Sequence, residues 1–228
     1  MLSVPFFFGS SRADSAQPVP SSTPVRDTSA TGNCRWKTIP PEAFVPLSRS
    51  SGKVSYYTVR SDPDSVPFIH ADYVPPAATV QLGFRFSETE SPVWKIEWDW
   101  RIDRAPHGSS ELLKEKNDSG ASVYLVFRDA LKTYVLKYLY SSTLPVGTVI
   151  SNPSSNPLQK MFMIVAGSGK NGALGTWEHV MPDFQSDFKR LFATGKCPSV
   201  SGIGILSDGD QTGSHVVAGY RNFCVCGK

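Results

Sequence analysis

Residues 93–103 constrain the fold more tightly than any other stretch of this chain. Ile96, Trp98, Trp100 and Ile102 alternate there with Glu97, Asp99, Arg101 and Asp103. A period of two over that length is a β-strand with one apolar and one charged face, and the tryptophans belong to a core. Strand patterns recur on either side, at Val54–Arg60, Thr79–Phe86, Ala121–Phe127, Tyr134–Tyr140 and the wholly apolar Met161–Ala166. Val200–Leu206 and Val216–Val225 read as a closing antiparallel pair around the loop Ser207–His215. One helix is predicted, with Asp183 as N-cap, Phe184, Phe188, Leu191 and Phe192 at helical spacing, and Gly195 and Pro198 as its stop. Long loops are expected over 105–120 and 141–160. With 18 glycines, 18 prolines and only 19% charged residues, the chain is rich in turns. The expected fold is all-β, an antiparallel β-sandwich of jelly-roll or galactose-binding-like type with one short helix.

Residues 2–8 are apolar and small residues follow around Ala13 and Ala16, which reads as the remnant of an export signal. Gln17 to Asn33 is rich in Ser, Thr and Pro and reads as a flexible lead-in. The division expected is therefore 1–33 as signal remnant and flexible segment, and 34–228 as a single β-sandwich domain, secreted or periplasmic. No apolar run reaches the roughly 18 residues of a membrane-spanning helix. A net charge of +3 gives no basis for nucleic acid as a partner. The four cysteines, Cys34, Cys197, Cys224 and Cys226, suit one or two disulfides in an oxidising compartment. Four cysteines allow three connectivities in principle, and Cys224 and Cys226, two apart in a strand, do not easily bridge each other. Without a CxxC pair or a histidine at zinc spacing, a metal cluster is not expected of them.

Three constellations carry chemistry. Glu97, Asp99 and Asp103 share a strand face with Arg101. Carboxylates at i and i+2 lie about 7 Å apart on a strand, within the roughly 5–10 Å that glycoside hydrolysis asks of its acid and its base or nucleophile. These three are the candidate catalytic residues, although Asp103 comes six after Glu97 and so departs from the ExDxxE strand motif of some sandwich-fold glucanases. The competing expectation is a solvated, salt-paired face. In Ser207–Gly213, Asp208 and Asp210 are candidate ligands of a structural Ca2+, the only cofactor expected. No later glutamate or flanking helices make an EF-hand, and the competing expectation is a turn whose aspartates cap amides. Asp118 precedes a strand and would join the pair where sandwich loops gather. His70, His107, His179 and His215 are scattered, and no GxSxG elbow supports a Ser-His-Asp site. Gly167-Ser168-Gly169-Lys170 lacks phosphate-loop spacing and reads as a turn. Tyr56, Tyr57, Tyr73, Tyr134, Tyr138, Tyr140 and Trp177 are aromatics on which sugar rings would stack.

Several motifs, in order, resemble an uncharacterised bacterial family, domain of unknown function 3047. Trp98-Asp99-Trp100-Arg101-Ile102-Asp103-Arg104-Ala105-Pro106 resembles its W-x-W-[RK]-[VI]-x-x-x-P. Asp118 before Ser122-Val123-Tyr124-Leu125-Val126-Phe127 resembles a second motif, with Ser122 where the family often has arginine. Trp177-Glu178 followed by Asp187-Phe188-Lys189-Arg190-Leu191-Phe192 resembles a third. Asp208-Gly209-Asp210-Gln211-Thr212 and then Ala218-Gly219-Tyr220 resemble its terminal motif. The resemblance spans Trp36 to Val225 and implies an exported β-sandwich, without implying an activity. The reading that follows is a non-catalytic carbohydrate- or polymer-binding module, with Asp99, Arg101, Asp118, Tyr138 and Trp177 as ligand-binding residues and a polysaccharide or glycan as partner. The alternatives are a glycan-cleaving enzyme, whether hydrolase or lyase, using the 97–103 acids, and a structural envelope or assembly protein.

Overall fold

A computed structural model describes residues 35–48, 50–87, 92–152, 156–169 and 174–227. The first sheet is built from β1 (Arg35–Thr38), β3 (Tyr57–Ser61), β4 (Pro67–Tyr73), β6 (Val93–Arg104), β11 (Glu178–Val180) and β13 (Val216–Gly227). Its order is β11-β6-β13-β4-β3, and β1 pairs with the far end of β13. The second sheet is built from β2 (Val45–Pro46), β5 (Leu82–Arg85), β7 (Ala121–Asp129), β8 (Lys132–Ser141), β9 (Val149–Asn152), β10 (Gln159–Ser168) and β12 (Val200–Leu206), in the order β2-β5-β12-β7-β8-β10-β9. The result is a jelly-roll-like β-sandwich with one α-helix among the described residues, as the alternating pattern predicts.

The core lies between the sheets, and β6 explains why. Ile96, Trp98 and Trp100 are fully buried and Ile102 nearly so, while Glu97, Arg101 and Asp103 point away. The Trp98 ring meets Trp100 at 5.9 Å from its own sheet and Tyr138 at 6.0 Å from the facing one. The helix α1 (Phe184–Phe192) closes the sandwich where Phe127 and Tyr134 would otherwise meet water. Phe184, Phe188 and Phe192 recur every fourth residue and all face inward, each burial being worth about 1.5–3 kcal/mol. Asp183 caps the helix by accepting from the Ser186 amide at 3.1 Å, and Ala193 ends it in the left-handed region at φ 52°.

Four details differ from the sequence reading. β12 and β13 are not a hairpin, because β12 is held between β5 and β7 and β13 between β6 and β4. Residues 207–215 therefore cross from one sheet to the other. β8 and β10 pair in parallel, the departure from an otherwise antiparallel design, and β9 lies inside the expected loop 141–160. The strands β1, β2, β4 and β11 add to those that the pattern predicts. Tyr138, proposed as a surface for ligand, is 1% exposed and belongs to the core. It sits on the face of β8 turned toward Trp98, and its hydroxyl donates to Asp187 at 2.9 Å. Cys197 and Cys224 are free thiols, whereas Cys226 is not free. The expected signal remnant, the lead-in and Cys34 lie outside the described residues. Among the described residues no helix is long and apolar enough to cross a membrane.

Candidate functional site

The outer face of the first sheet gathers three of the five expected ligand residues. On β6 and β13 the register sets Arg101 opposite Gly219 and Asp99 opposite Arg221. A bulge follows at Asn222, which takes the left-handed φ of 54° that asparagine tolerates. The bulge lets two consecutive residues of β13 reach one carboxylate: Arg221 Nε donates to Asp99 Oδ2 at 3.3 Å and Asn222 Nδ2 to the same oxygen at 2.7 Å. On the other side, β11 pairs His179 with Asp99, and Nδ1 lies 2.9 Å from Asp99 Oδ1. The imidazole's far nitrogen is 3.6 Å from Glu97 Oε2. Arg221 also pairs with Asp62, and Arg101 holds Asp103 with contacts of 2.9 and 3.0 Å. Both oxygens of Asp99 are occupied by donors, so neither is placed to pass a proton to a substrate.

Trp177 stands over this face. The Arg221 guanidinium carbon lies 4.2 Å from its ring centroid and that of Arg101 4.8 Å, both within cation–π range. The ring rests on Gly219, where an added Cβ would fall 2.8 Å from Trp177 Cη2 and 3.3 Å from the Phe68 ring. Only glycine leaves that room. His70 is the residue opposite Gly219 on β4. It is 7% exposed, its Nδ1 has no hydrogen-bond partner, and burial, together with nearby Arg60, lowers its pKa. A half-buried indole ringed by fixed guanidinium, carboxylate and imidazole groups offers an apolar plate with directional hydrogen-bonding groups beside it, which is what a sugar ring needs. Sequence reasoning passed over His179 and His70 because their partners, at 80 and 149 positions' separation, come together only through the sheet register.

Asp118, Asp208 and Asp210 form a second cluster, apart from Asp99. One oxygen from each lies within 4.8 Å of the others. β7 and β12 are neighbours, so the residue before one strand meets the residue after the other: Ser119 N donates to Asp208 Oδ1 at 3.3 Å. Asp118 ties down the crossing loop by accepting from the amides of Gln211 and Thr212 and from the Thr212 hydroxyl at 2.6 Å. Burial raises the Asp208 pKa to about 7, the Lys137 ammonium partly opposing and the Asp118 carboxylate reinforcing it. Asp210 and Glu111 are raised too, first by burial. Burial works against the Lys137 ammonium, yet Tyr124, Asp208 and Glu111 outweigh it and its pKa rises. Asp118 is fully buried and Asp208 is 6% exposed, so of this cluster only Asp210 reaches the surface, and Asp118 is not placed to touch a polymer. It is a loop anchor that could hold a proton or a cation.

A family model described as Protein of unknown function (DUF3047) matches residues 45–224. The chain belongs to that family. No curated protein matches it. Among solved structures it is similar to the xyloglucanase domain of NopAA, a type three effector from Sinorhizobium fredii, in complex with cellobiose, at 10% identity and a TM-score of 0.44 over 85% of this chain and 98% of that one. It is also similar to endoglucanase cel12A from Rhodothermus marinus, at 8% identity and a TM-score of 0.46 over 86% and 96% of the two chains. These likenesses concern the sandwich architecture of this DUF3047 member.

Proposed function

We propose that this protein is an exported, secreted or periplasmic module that binds a glycan or related polymer on the outer face of its first sheet, without cleaving it. The observation that carries the reading is the meeting of Asp99, Arg101 and Trp177 on the outer face of one sheet, Asp99 buried and the other two half-buried, where Gly219 makes room for the indole. Binding is favoured over cleavage by the state of the three candidate catalytic acids. Asp99 is saturated by His179, Arg221 and Asn222, Asp103 is paired with Arg101, and Glu97 faces the same imidazole as Asp99. Of the carboxyl groups whose proton affinity is raised, Asp208, Asp210 and Glu111 lie away from this face, and Glu178, the neighbour of Trp177, turns to the opposite side of the sheet, where it accepts from the Trp100 indole at 3.4 Å. A glycosidase needs one proton-bearing carboxyl at the ligand surface.

The test is affinity electrophoresis and pull-down against a polysaccharide panel, with reducing-end release measured in parallel. Retention is expected without release, and Trp177→Ala should weaken it about tenfold or more while leaving the thermal midpoint within a few degrees. Release of reducing ends that Asp99→Asn abolishes would replace the binding reading by the enzymatic one. Failure of every polymer to be retained would remove both.

A further inference from the structure

One polar group beside Trp177 lacks a partner. His70 on β4 and Arg101 on β6 are the two residues across from Gly219, on which the indole stands, and the Arg101 guanidinium lies against the ring itself. The Phe68 ring meets His70 edge-on at 6.1 Å and Trp177 at 5.5 Å, which closes the remaining side. The His70 Nδ1 atom is buried there without a hydrogen-bond partner, and such an atom costs free energy until something fills its valence. The charges that touch the ring are already matched, and Arg60, opposite Phe68 on the outer strand β3, is the guanidinium of this face that lies farther off. Arg101 holds Asp103, and Arg221 holds Asp62 and Asp99, while Glu97 adds a further carboxylate near His179. No guanidinium next to the ring is left to attract an anion, and an anionic ligand would have to displace a carboxylate that is covalently held in place.

We infer that the ring seated against Trp177 is an uncharged, hydroxyl-rich sugar of a neutral polysaccharide, and that one of its hydroxyls supplies the partner His70 Nδ1 lacks. The inference rests on the sheet-face reading above and narrows its ligand class. A hydroxyl both donates and accepts, so it serves either tautomer of the neutral imidazole. A uronate or sulfate would instead be repelled by the carboxylates of Glu97, Asp99 and Asp103.

The probes are soluble neutral polysaccharides (β-glucan, galactomannan, arabinoxylan) and acidic ones (polygalacturonate, alginate), titrated calorimetrically at low and high NaCl. Binding to at least one neutral polymer is expected, changing less than about twofold between roughly 0.02 and 0.3 M salt, since an uncharged ligand is not screened. His70→Phe should weaken binding about tenfold, and His70→Asn, whose amide reaches the position of Nδ1, should restore most of it. The imidazole resonances of the unaltered protein give a readout independent of any variant's folding, and they should shift on saturation with the neutral polymer. Tighter binding of the acidic polymers with a steep salt dependence overturns the inference and leaves sheet-face binding standing. So does unaltered affinity in His70→Phe, or imidazole resonances that stay put at saturation. Absence of binding to both classes by the folded protein overturns the sheet-face reading itself.

Discussion

Replacing Asp208 by asparagine should change how the stability of this fold depends on pH. The carboxyl is buried between Lys137 and Asp118, and its pKa is pushed from 3.8 up to about 7. Between those two values the folded chain holds a proton that the unfolded chain releases. Stability from this group is therefore complete below pH 4 and is lost as pH rises through about 7. About three pKa units set a ceiling near 4 kcal/mol for that loss. Asp210 is shifted in the same direction and is coupled to it, so the part assignable to Asp208 should be about 2–4 kcal/mol. Asp208→Asn carries the shape of the protonated acid at every pH and keeps an oxygen for the Ser119 amide. Urea denaturation from pH 4.5 to 8 should show wild type and variant nearly equal at the acid end, with the variant gaining over wild type toward neutrality. Parallel curves for the two proteins would refute the assignment of the proton to this site. A calcium-dependent rise in stability at pH 8, seen in wild type and missing in the variant, would put a cation rather than a proton between Asp118, Asp208 and Asp210.

Three further outcomes are expected. Gly219→Ala should displace the Trp177 indole, since its Cβ would lie 2.8 Å from Cη2. Glycan retention should then fall about as far as in Trp177→Ala, at a stability cost of about 1–3 kcal/mol read by thermal melting. Because Cys197 and Cys224 are free and Trp36 pairs with Cys226 in the sheet, a bridge is expected between Cys34 and Cys226. Non-reducing peptide mapping should recover it, and its reduction should cost about 2–5 kcal/mol. Asp183→Ala removes an acceptor that holds both the amide and the hydroxyl of Ser186. It should lower stability by about 1 kcal/mol in chemical denaturation, leaving glycan binding unchanged.

The parts of this fold that could be read from the sequence are those whose partners are local or whose burial is one-sided. The alternation over 93–103 gave the faces of β6 correctly because one side is core and the other is not. The helix was legible because its cap, its apolar spacing and its stop all lie within sixteen residues, from Asp183 to Pro198. Tyr138 shows the limit. Lys137 and Tyr138 point to opposite faces of β8 and both are buried, because loop residues such as Leu112 and Glu111 cover the outer side too. When both faces are covered, periodicity no longer tells which aromatic meets solvent. The supposed hairpin after Leu206 failed for a related reason. The edge of β12 that β13 would have needed is taken by β7, whose pairing with it joins residues some eighty positions apart.

The same distinction governs the site. Acidic strand residues such as Glu97, Asp99 and Asp103 are by default solvated, and by themselves they would not have singled out this face. What distinguishes it is a gap, Gly219, at the point where β13 passes between Arg101 and His70. A side chain there would have closed the surface into an ordinary charged sheet. With glycine, the face accepts Trp177 from a segment outside the strands, and the two arginines that would otherwise extend into water lie against its ring. Each arginine is then held a second time by a carboxylate, so the indole is flanked by groups that lose little freedom when a ligand arrives. Preorganisation of that kind lowers the ordering cost of binding, and it requires the charges to be spent on one another. That is why a face so rich in charged residues should select a ligand that carries none.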